Sequence, residues 1–338
     1  MTPRRVLIAA PDFQAWDLGV YVQSALESLH IPSATFAFHR LPAGTDTGAA
    51  FVEAVRTSKA DAVIGLKLDT VPASAIRRVR AAGTRVLLWQ VDCFTSQIPT
   101  WIRPLVREAN VVAVTAHGMV DAYARLRTCA DNAVHWVMEG AYGPAFPTVR
   151  LSAGARRLYG SEVAFVGGLG QPPVRNPLIA GHRERLLNRL GAEFEVRVWG
   201  PQSAHARHRV ARRKFEVRRW PAYNDELSRV CQASSIVLGL NTINTVYQYF
   251  SNRTFLTLAA KGFHVTHFVP GLDALFENHR HLVWFKDDAE CVDVCRHYLK
   301  RAAARQRIAA AGRAYVRKHW RLTDQVARLV QLLGDTDA

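Results

Sequence analysis

From Arg5 onward, short unbroken apolar runs alternate with amphipathic stretches, and that rhythm limits the fold more than any single motif. An unbroken apolar run of four to six residues reads as a strand buried on both faces, whereas apolar spacing of three and four reads as a one-sided helix. Strands are predicted at Arg5–Ala10, Ala34–Phe38, Ala62–Gly65, Arg85–Trp89, Val111–Val114 and Val134–Met138. Helices Leu18–Leu29, Thr47–Ser58, Ala73–Ala82 and Thr100–Arg107 fall between them, and Gly83 stops the third. Repeated units of this kind build a parallel sheet covered by helices on both faces.

Met138 to Pro147 breaks the rhythm with Gly and Pro, and a second set starts near Glu162. Its predicted strands are Val163–Val166, Glu195–Val198, Phe215–Val217, Ile236–Leu240, Val265–Phe268 and Leu282–Phe285. Helices Ala289–Arg301, Ala303–Lys318 and Thr323–Leu333 follow. The expectation is therefore an α/β chain of two Rossmann-like domains, 1–148 and 161–320, joined by a linker at 149–160, with a final segment 321–338. A length of 338 residues suits two cores better than one.

Composition narrows the class. With 49% hydrophobic and 21% charged residues the chain is an ordinary globular one, and no apolar run reaches the ~20 residues that span a bilayer. The first ten residues place charge before apolar side chains as a secretion signal does, but Asp12 soon interrupts them, so a buried first strand is expected. Five scattered cysteines, Cys93, Cys129, Cys231, Cys291 and Cys295, argue for a reducing compartment and packing roles, hence a cytoplasmic location. The net charge of +16 favours polyanions, with basic residues concentrated between His205 and Lys214 and at Arg218 and Arg219. No nucleic-acid motif surrounds them, and a solvated basic loop accounts for them equally well.

Ser251-Asn-Arg-Thr-Phe-Leu-Thr-Leu-Ala-Ala-Lys-Gly262 carries the chemistry. A polar cluster opens a helix that Gly262 closes, a strand follows, and Pro270-Gly271 is expected to turn into a further helix. Ser251, Asn252 and Arg253 thus stand at a helix start after a strand, where unpaired N–H groups and a guanidinium fork suit a diphosphate. After the first strand of the second set, Gly167, Gly168 and Gly170 let a backbone approach an oxyanion, with Arg175 and Arg183 downstream to add charge; a plain tight turn would look the same. Asn241, Asn244 and Thr245 offer short polar groups for a ribose, base or sugar hydroxyl, or for turn formation.

These residues, in this order and spacing, resemble the C-terminal domain of GT-B glycosyltransferases, in the group-1-like branch that includes CgeB-like proteins. The resemblance runs from Val163-Ala-Phe-Val-Gly-Gly-Leu-Gly170 through Val196-Arg-Val-Trp-Gly200, Ser235-Ile-Val-Leu-Gly-Leu-Asn241 and His281-Leu-Val-Trp-Phe285 to Arg307-Ile-Ala-Ala-Ala-Gly-Arg313. It implies two lobes facing a cleft, a nucleotide-sugar co-substrate on the second lobe, an acceptor on the first, and a C-terminal helix that crosses back to the first domain. It also implies a Glu directly after the Phe of the Ser251 motif; here that position is Leu256, and the position matching a second upstream carboxylate is Gln248. A carboxylate clamp on the donor's ribose is therefore absent.

On the first lobe, Asp17, Asp92 and His117 follow predicted strands and are the acid/base candidates for an acceptor hydroxyl, with N-capping the competing role for Asp17. Asp92 also matches an acceptor-side Asp of the resemblance. No Cys or His pair has zinc spacing, and the one Asp-x-Asp pair, Asp335 and Asp337, does not follow a strand, so neither a metal nor a cofactor is expected. The resulting expectation is a metal-independent, hexosyltransferase-like enzyme acting on an unknown acceptor that is anionic in one version: a polysaccharide, a lipid-linked glycan met by peripheral membrane contact, or a nucleic acid. The alternatives are a DNA-base glycosyltransferase and a non-catalytic polyanion-binding protein of the same fold.

Overall fold

The computed structural model describes residues 3–14, 17–94, 98–127, 134–169, 181–200, 213–218 and 223–334. The chain divides into two units. The first comprises Met1–Gly140, Thr245–Tyr249 and Arg321–Ala338, and the second comprises Ala141–Asn244 and Phe250–Trp320.

In the first unit, β1 (Val6–Ala10), β2 (Ser33–Ala37), β3 (Ala62–Leu66), β4 (Arg85–Gln90), β5 (Val111–Val114) and β6 (Val134–Trp136) form one sheet in the order β2-β1-β3-β4-β5-β6. All pairings are parallel. Every residue of β1 and β3 is buried, which the unbroken apolar runs require of strands covered on both faces. Helix Thr47–Ser58 starts where Asp46 accepts bonds from the N–H groups of Gly48 and Ala49 (2.9 and 3.0 Å) and stops at Lys59, which is left-handed at φ 54°. Helix Leu322–Gly334 belongs to this unit. It buries Leu322, Val326, Leu329, Val330 and Leu333, and packs on helix Leu18–Ser28, β4 and β5.

The second unit repeats the plan with β7 (Val163–Val166), β8 (Val196–Trp199), β9 (Glu216–Arg218), β10 (Ile236–Gly239), β11 (His264–His267) and β12 (Val283–Phe285). Their order is β12-β11-β10-β7-β8-β9, again all parallel. Helices His182–Leu190, Asn224–Ala233, Arg253–Ala259, Asp288–Leu299 and Ala302–His319 accompany it. The two Rossmann-like domains expected from the sequence are present.

Three local expectations change. The stretch 149–160 contains a helix, Ala153–Tyr159, whose start is fixed by Ser152 Oγ accepting from Ala155 N (3.1 Å) and which packs on Asn224–Ala233. The helix expected from Ser251 begins at Arg253 and ends at Ala259, two turns in all. Between Pro270 and β12 no helix forms. Leu272 accepts from the N–H groups of Leu275 and Phe276, but Asn278 then captures the N–H groups of His279 and Trp284, and the turn goes no further. Cys93, Cys231, Cys291 and Cys295 are buried free thiols; Cys129 lies outside the described residues.

Candidate functional site

In each sheet the chain winds one way from its first strand and then returns to build the other side. The reversal falls between β1 and β3 in the first sheet and between β7 and β10 in the second. Loops leaving such a strand pair go to opposite faces and open a crevice at the carboxyl ends.

In the second unit that crevice is a cavity of about 150 Å3. Phe165 to Gly168 line it from β7 and Leu238 to Asn241 from β10, and Ser251, Arg253 and Thr254 line it from the next loop and helix. Arg183 also lines it, with its Nη1 donating to the Gly168 carbonyl (2.8 Å) and its Nη2 to the Leu240 carbonyl (2.7 Å). It thereby ties the ends of the two strands together. Among the described residues, no carboxylate lines the cavity.

The polar cluster is built as a brace. Asn241, 4% exposed, accepts from Ser251 N (2.9 Å) through Oδ1, while its Nδ2 donates to Asn244 Oδ1 (3.3 Å). Ser251 Oγ in turn accepts from Arg253 N (3.3 Å). Asn252 takes the N-cap position in a helical conformation and makes no side-chain capping bond, so Ser251 is the capping side chain. Beneath them His264, fully buried on β11, donates from Nδ1 to the Val237 carbonyl (3.1 Å). Its Nε2 accepts from Thr254 Oγ1 (3.2 Å), a tautomer fixed because a carbonyl can only accept. Burial pushes its pKa down to about 4, so the imidazole is neutral. Gly239 permits this arrangement, since a Cβ there would stand 2.5 Å from His264 Cε1.

Of the predicted anion-binding glycines, Gly167 spends its N–H on the Trp199 carbonyl (2.8 Å), and a Cβ on it would lie 3.1 Å from Phe165 Cζ. At Gly168 nothing among the described residues lies within 4 Å of an added Cβ, so the cavity is open there. Gly170 and Arg175 lie outside the described residues, as does most of the basic stretch before Lys214. Gln248 is buried in the 245–249 segment of the first unit, left-handed at φ 51°, and Leu256 does not line the cavity.

The three acid/base candidates fall on three loops at the carboxyl end of the first sheet. Asp17 is half-buried after β1, and its Oδ2 accepts from Gln14 N (2.7 Å). Desolvation raises its pKa above the usual carboxylate range, with the negative charge of Asp12 adding to the rise. Its side chain makes no capping bond to helix Leu18–Ser28. Asp92, after β4, is exposed and ion-paired to Lys67 (2.8 Å). His117, after β5, is exposed with its ring edge-on to Trp136 (5.2 Å) and to Tyr247 (5.4 Å). Gly118 N donates to the Tyr247 carbonyl (2.9 Å), which anchors the 245–249 segment here.

Solved structures share this architecture over nearly the whole chain. HepE from Anabaena in complex with UDP-glucose aligns with a TM-score of 0.66 at 11% identity, covering 98% of this chain and 99% of that one. Sucrose-phosphate synthase from Thermosynechococcus elongatus aligns at 0.68 and 13%, covering 97% and 98%. The fold is GT-B. A UDP-forming α,α-trehalose-phosphate synthase from Burkholderia xenovorans also aligns, at 0.65 and 11% over 100% of both chains. Residues 182–331, within the half that carries the cavity, match the profile of the glycosyl transferase-like family. Among proteins of curated function, none matches by sequence. Among the described residues, no helix is long and apolar enough to cross a membrane, and no three His, Cys, Asp or Glu side chains gather as a metal cluster.

Proposed function

We propose that the protein is a glycosyltransferase that takes its sugar from a nucleoside diphosphate donor held on the second unit. One observation carries this reading: the cavity at the β7/β10 reversal combines an open backbone position at Gly168, Arg253 in its lining and, among the described residues, no carboxylate. A diphosphate is an anion with many acceptor oxygens, and such a lining receives it without charge conflict. Asn244, Asn241 and Ser251 form a bond chain that ends on Arg253 N, so their role toward the donor is largely positioning. The glycosyl transferase-like match and the UDP-glucose held by the HepE neighbour support the same assignment.

Transfer would join an acceptor hydroxyl oxygen to the donor's anomeric carbon, break the bond from that carbon to the diphosphate, and send the hydroxyl proton to a base. Arg253 would stabilise the departing diphosphate, so the reading needs no metal. Of the three acid/base candidates, Asp17 fits a base best, since its carboxylate is held at raised basicity while Asp92 is committed to Lys67. The protein would then work in the cytoplasm, where such donors are made.

The test is a thermal-shift screen with UDP-, GDP-, dTDP- and CMP-sugars on the native protein and on Arg253→Ala. A ligand stabilises in proportion to its occupancy, so the substitution should remove most of the shift. A shift that survives unchanged refutes the role of Arg253. Salt-sensitive retention of DNA with no response to any nucleotide sugar would favour the polyanion-binding alternative that the +16 charge suggests.

A further inference from the structure

Two ion pairs and one histidine–carboxylate hydrogen bond cross the carboxyl end of the first sheet from loop to loop. Arg40 Nε, after β2, donates to Asp12 Oδ2 after β1 (2.8 Å). His39 Nε2, beside Arg40, meets Asp69 Oδ1 after β3 (2.9 Å). Lys67 Nζ, two residues before Asp69, meets Asp92 Oδ2 after β4 (2.8 Å). The pairs form a continuous belt over β2, β1, β3 and β4. The backbone is bent to make it: Lys67 and Leu68 are successive left-handed residues at φ 65° and 57°, a conformation that costs about 1 kcal/mol or more per non-glycine residue. Leu68 is fully buried and anchors the turn, which holds the ammonium of Lys67 on Asp92.

The belt is acidic in balance. Asp12 and Asp92 answer Arg40 and Lys67 one for one, Asp69 is hydrogen-bonded to His39, and Asp17, which makes no ion pair among the described residues, adds a fourth carboxylate. Below the belt, two further polar groups are fully buried. Gln90 Oε1 at the end of β4 and Tyr123 Oη have no hydrogen-bond partner among the described residues. Gln90 is tied to the loop through its Nε2, which donates to the Asp92 carbonyl (3.5 Å). A buried acceptor left unpaired is costly.

Within the belt, Arg40 and Lys67 each already face a carboxylate. An anion arriving here would have to displace a carboxylate from its partner, whereas a hydroxyl can donate to a carboxylate that keeps its ion pair. We propose that this surface selects an uncharged, polyhydroxylated acceptor: a carbohydrate bearing no phosphate or carboxylate. The inference rests on the glycosyltransferase reading and narrows it, removing the anionic acceptor that the net charge of the chain suggests. The transfer step is the one given above, with the sugar hydroxyl as nucleophile and Asp17 taking its proton.

The experiment uses the full chain and whichever sugar nucleotide gives the largest thermal shift. Release of nucleoside diphosphate is followed with paired acceptors that differ only in charge, glucose against glucose 6-phosphate and N-acetylglucosamine against its 6-phosphate, together with maltose and duplex DNA. Donor binding and slow donor hydrolysis without acceptor report on the transferase reading alone, so its failure is seen separately. The expected result is release at least tenfold faster with a neutral sugar than with its phosphate. A faster reaction with the phosphate or with DNA, or no acceleration by any neutral sugar, overturns the proposal. Asp69→Asn should raise the KM for the neutral sugar more than tenfold while the donor-induced thermal shift persists, which shows that the variant is folded. An unchanged KM also overturns it.

Discussion

The carboxyl ends of the two sheets share one topology and carry opposite chemistry. At β1/β3 the loops are cross-linked by carboxylates and cations, whereas at β7/β10 they are drawn together by a single guanidinium gripping two carbonyls and leave a glycine-lined hollow. The reversal of strand order fixes where a ligand sits in each, and the loop residues alone decide which ligand that is.

The contrast can be broken most severely at Gly168. Among the described residues an added Cβ there has no neighbour within 4 Å, so Gly168→Val should leave the melting temperature within about a degree, while its bulk fills the cavity and abolishes the donor-induced shift. If Gly168→Val binds the donor as the native protein does, the hollow is not the donor site. The equivalent glycines under each mouth behave differently. Gly65→Ala would drive a Cβ to 2.5 Å from Leu68 Cδ1, and Gly239→Ala would do the same against His264, so each should lose about 1–3 kcal/mol in chemical denaturation. Gly65→Ala should also disturb the belt through Leu68 and weaken acceptor use, and Gly239→Ala should weaken donor binding.

Acid separates the units more gently. The pKa of His264 lies near 4 when folded and near 6.5 when unfolded, so its contribution is present above pH 6.5 and is lost as pH falls toward 4. The full loss is roughly 3 kcal/mol. Asp17 has a raised folded pKa, so the native first unit takes up its proton earlier and acidification through that interval favours the fold. Melting followed from pH 7 to 4 should show the second unit weakening first, and His264→Gln should flatten that dependence. The smallest effect is expected at Arg40→Ala. The pair it breaks is exposed, so stability should hardly move while acceptor use declines, measurable as KM.

Much of this fold was readable from local residues. Val6 to Ala10 and Ala62 to Leu66 are apolar throughout and became the central buried strands, and Thr47–Ser58 kept its predicted ends because Asp46 and Lys59 supply both of its stops. The apolar spacing of Leu272, Leu275 and Phe276 misled, because Asn278, which ends that turn, acts through bonds to its own neighbours that periodicity does not register. The cavity-lining glycines, Asn241 and Arg253 were also visible as polar or glycine punctuation after apolar runs. The belt was not. His39 and Asp69 follow β2 and β3, which are separated in the sheet by β1, and Arg183 reaches a carbonyl 57 residues away; both depend on strand order. The charge of the whole chain misdirected as well, since +16 overall coexists with an acidic mouth on the first sheet.

Helix Leu322–Gly334 completes the first unit, yet it is translated only after the whole of the second. On the ribosome, the apolar surface of Leu18–Ser28, β4 and β5 that it covers stays bare while the second unit emerges and folds. The order of synthesis is thus the reverse of the order of maturation, and the nascent first unit is the natural client for a chaperone.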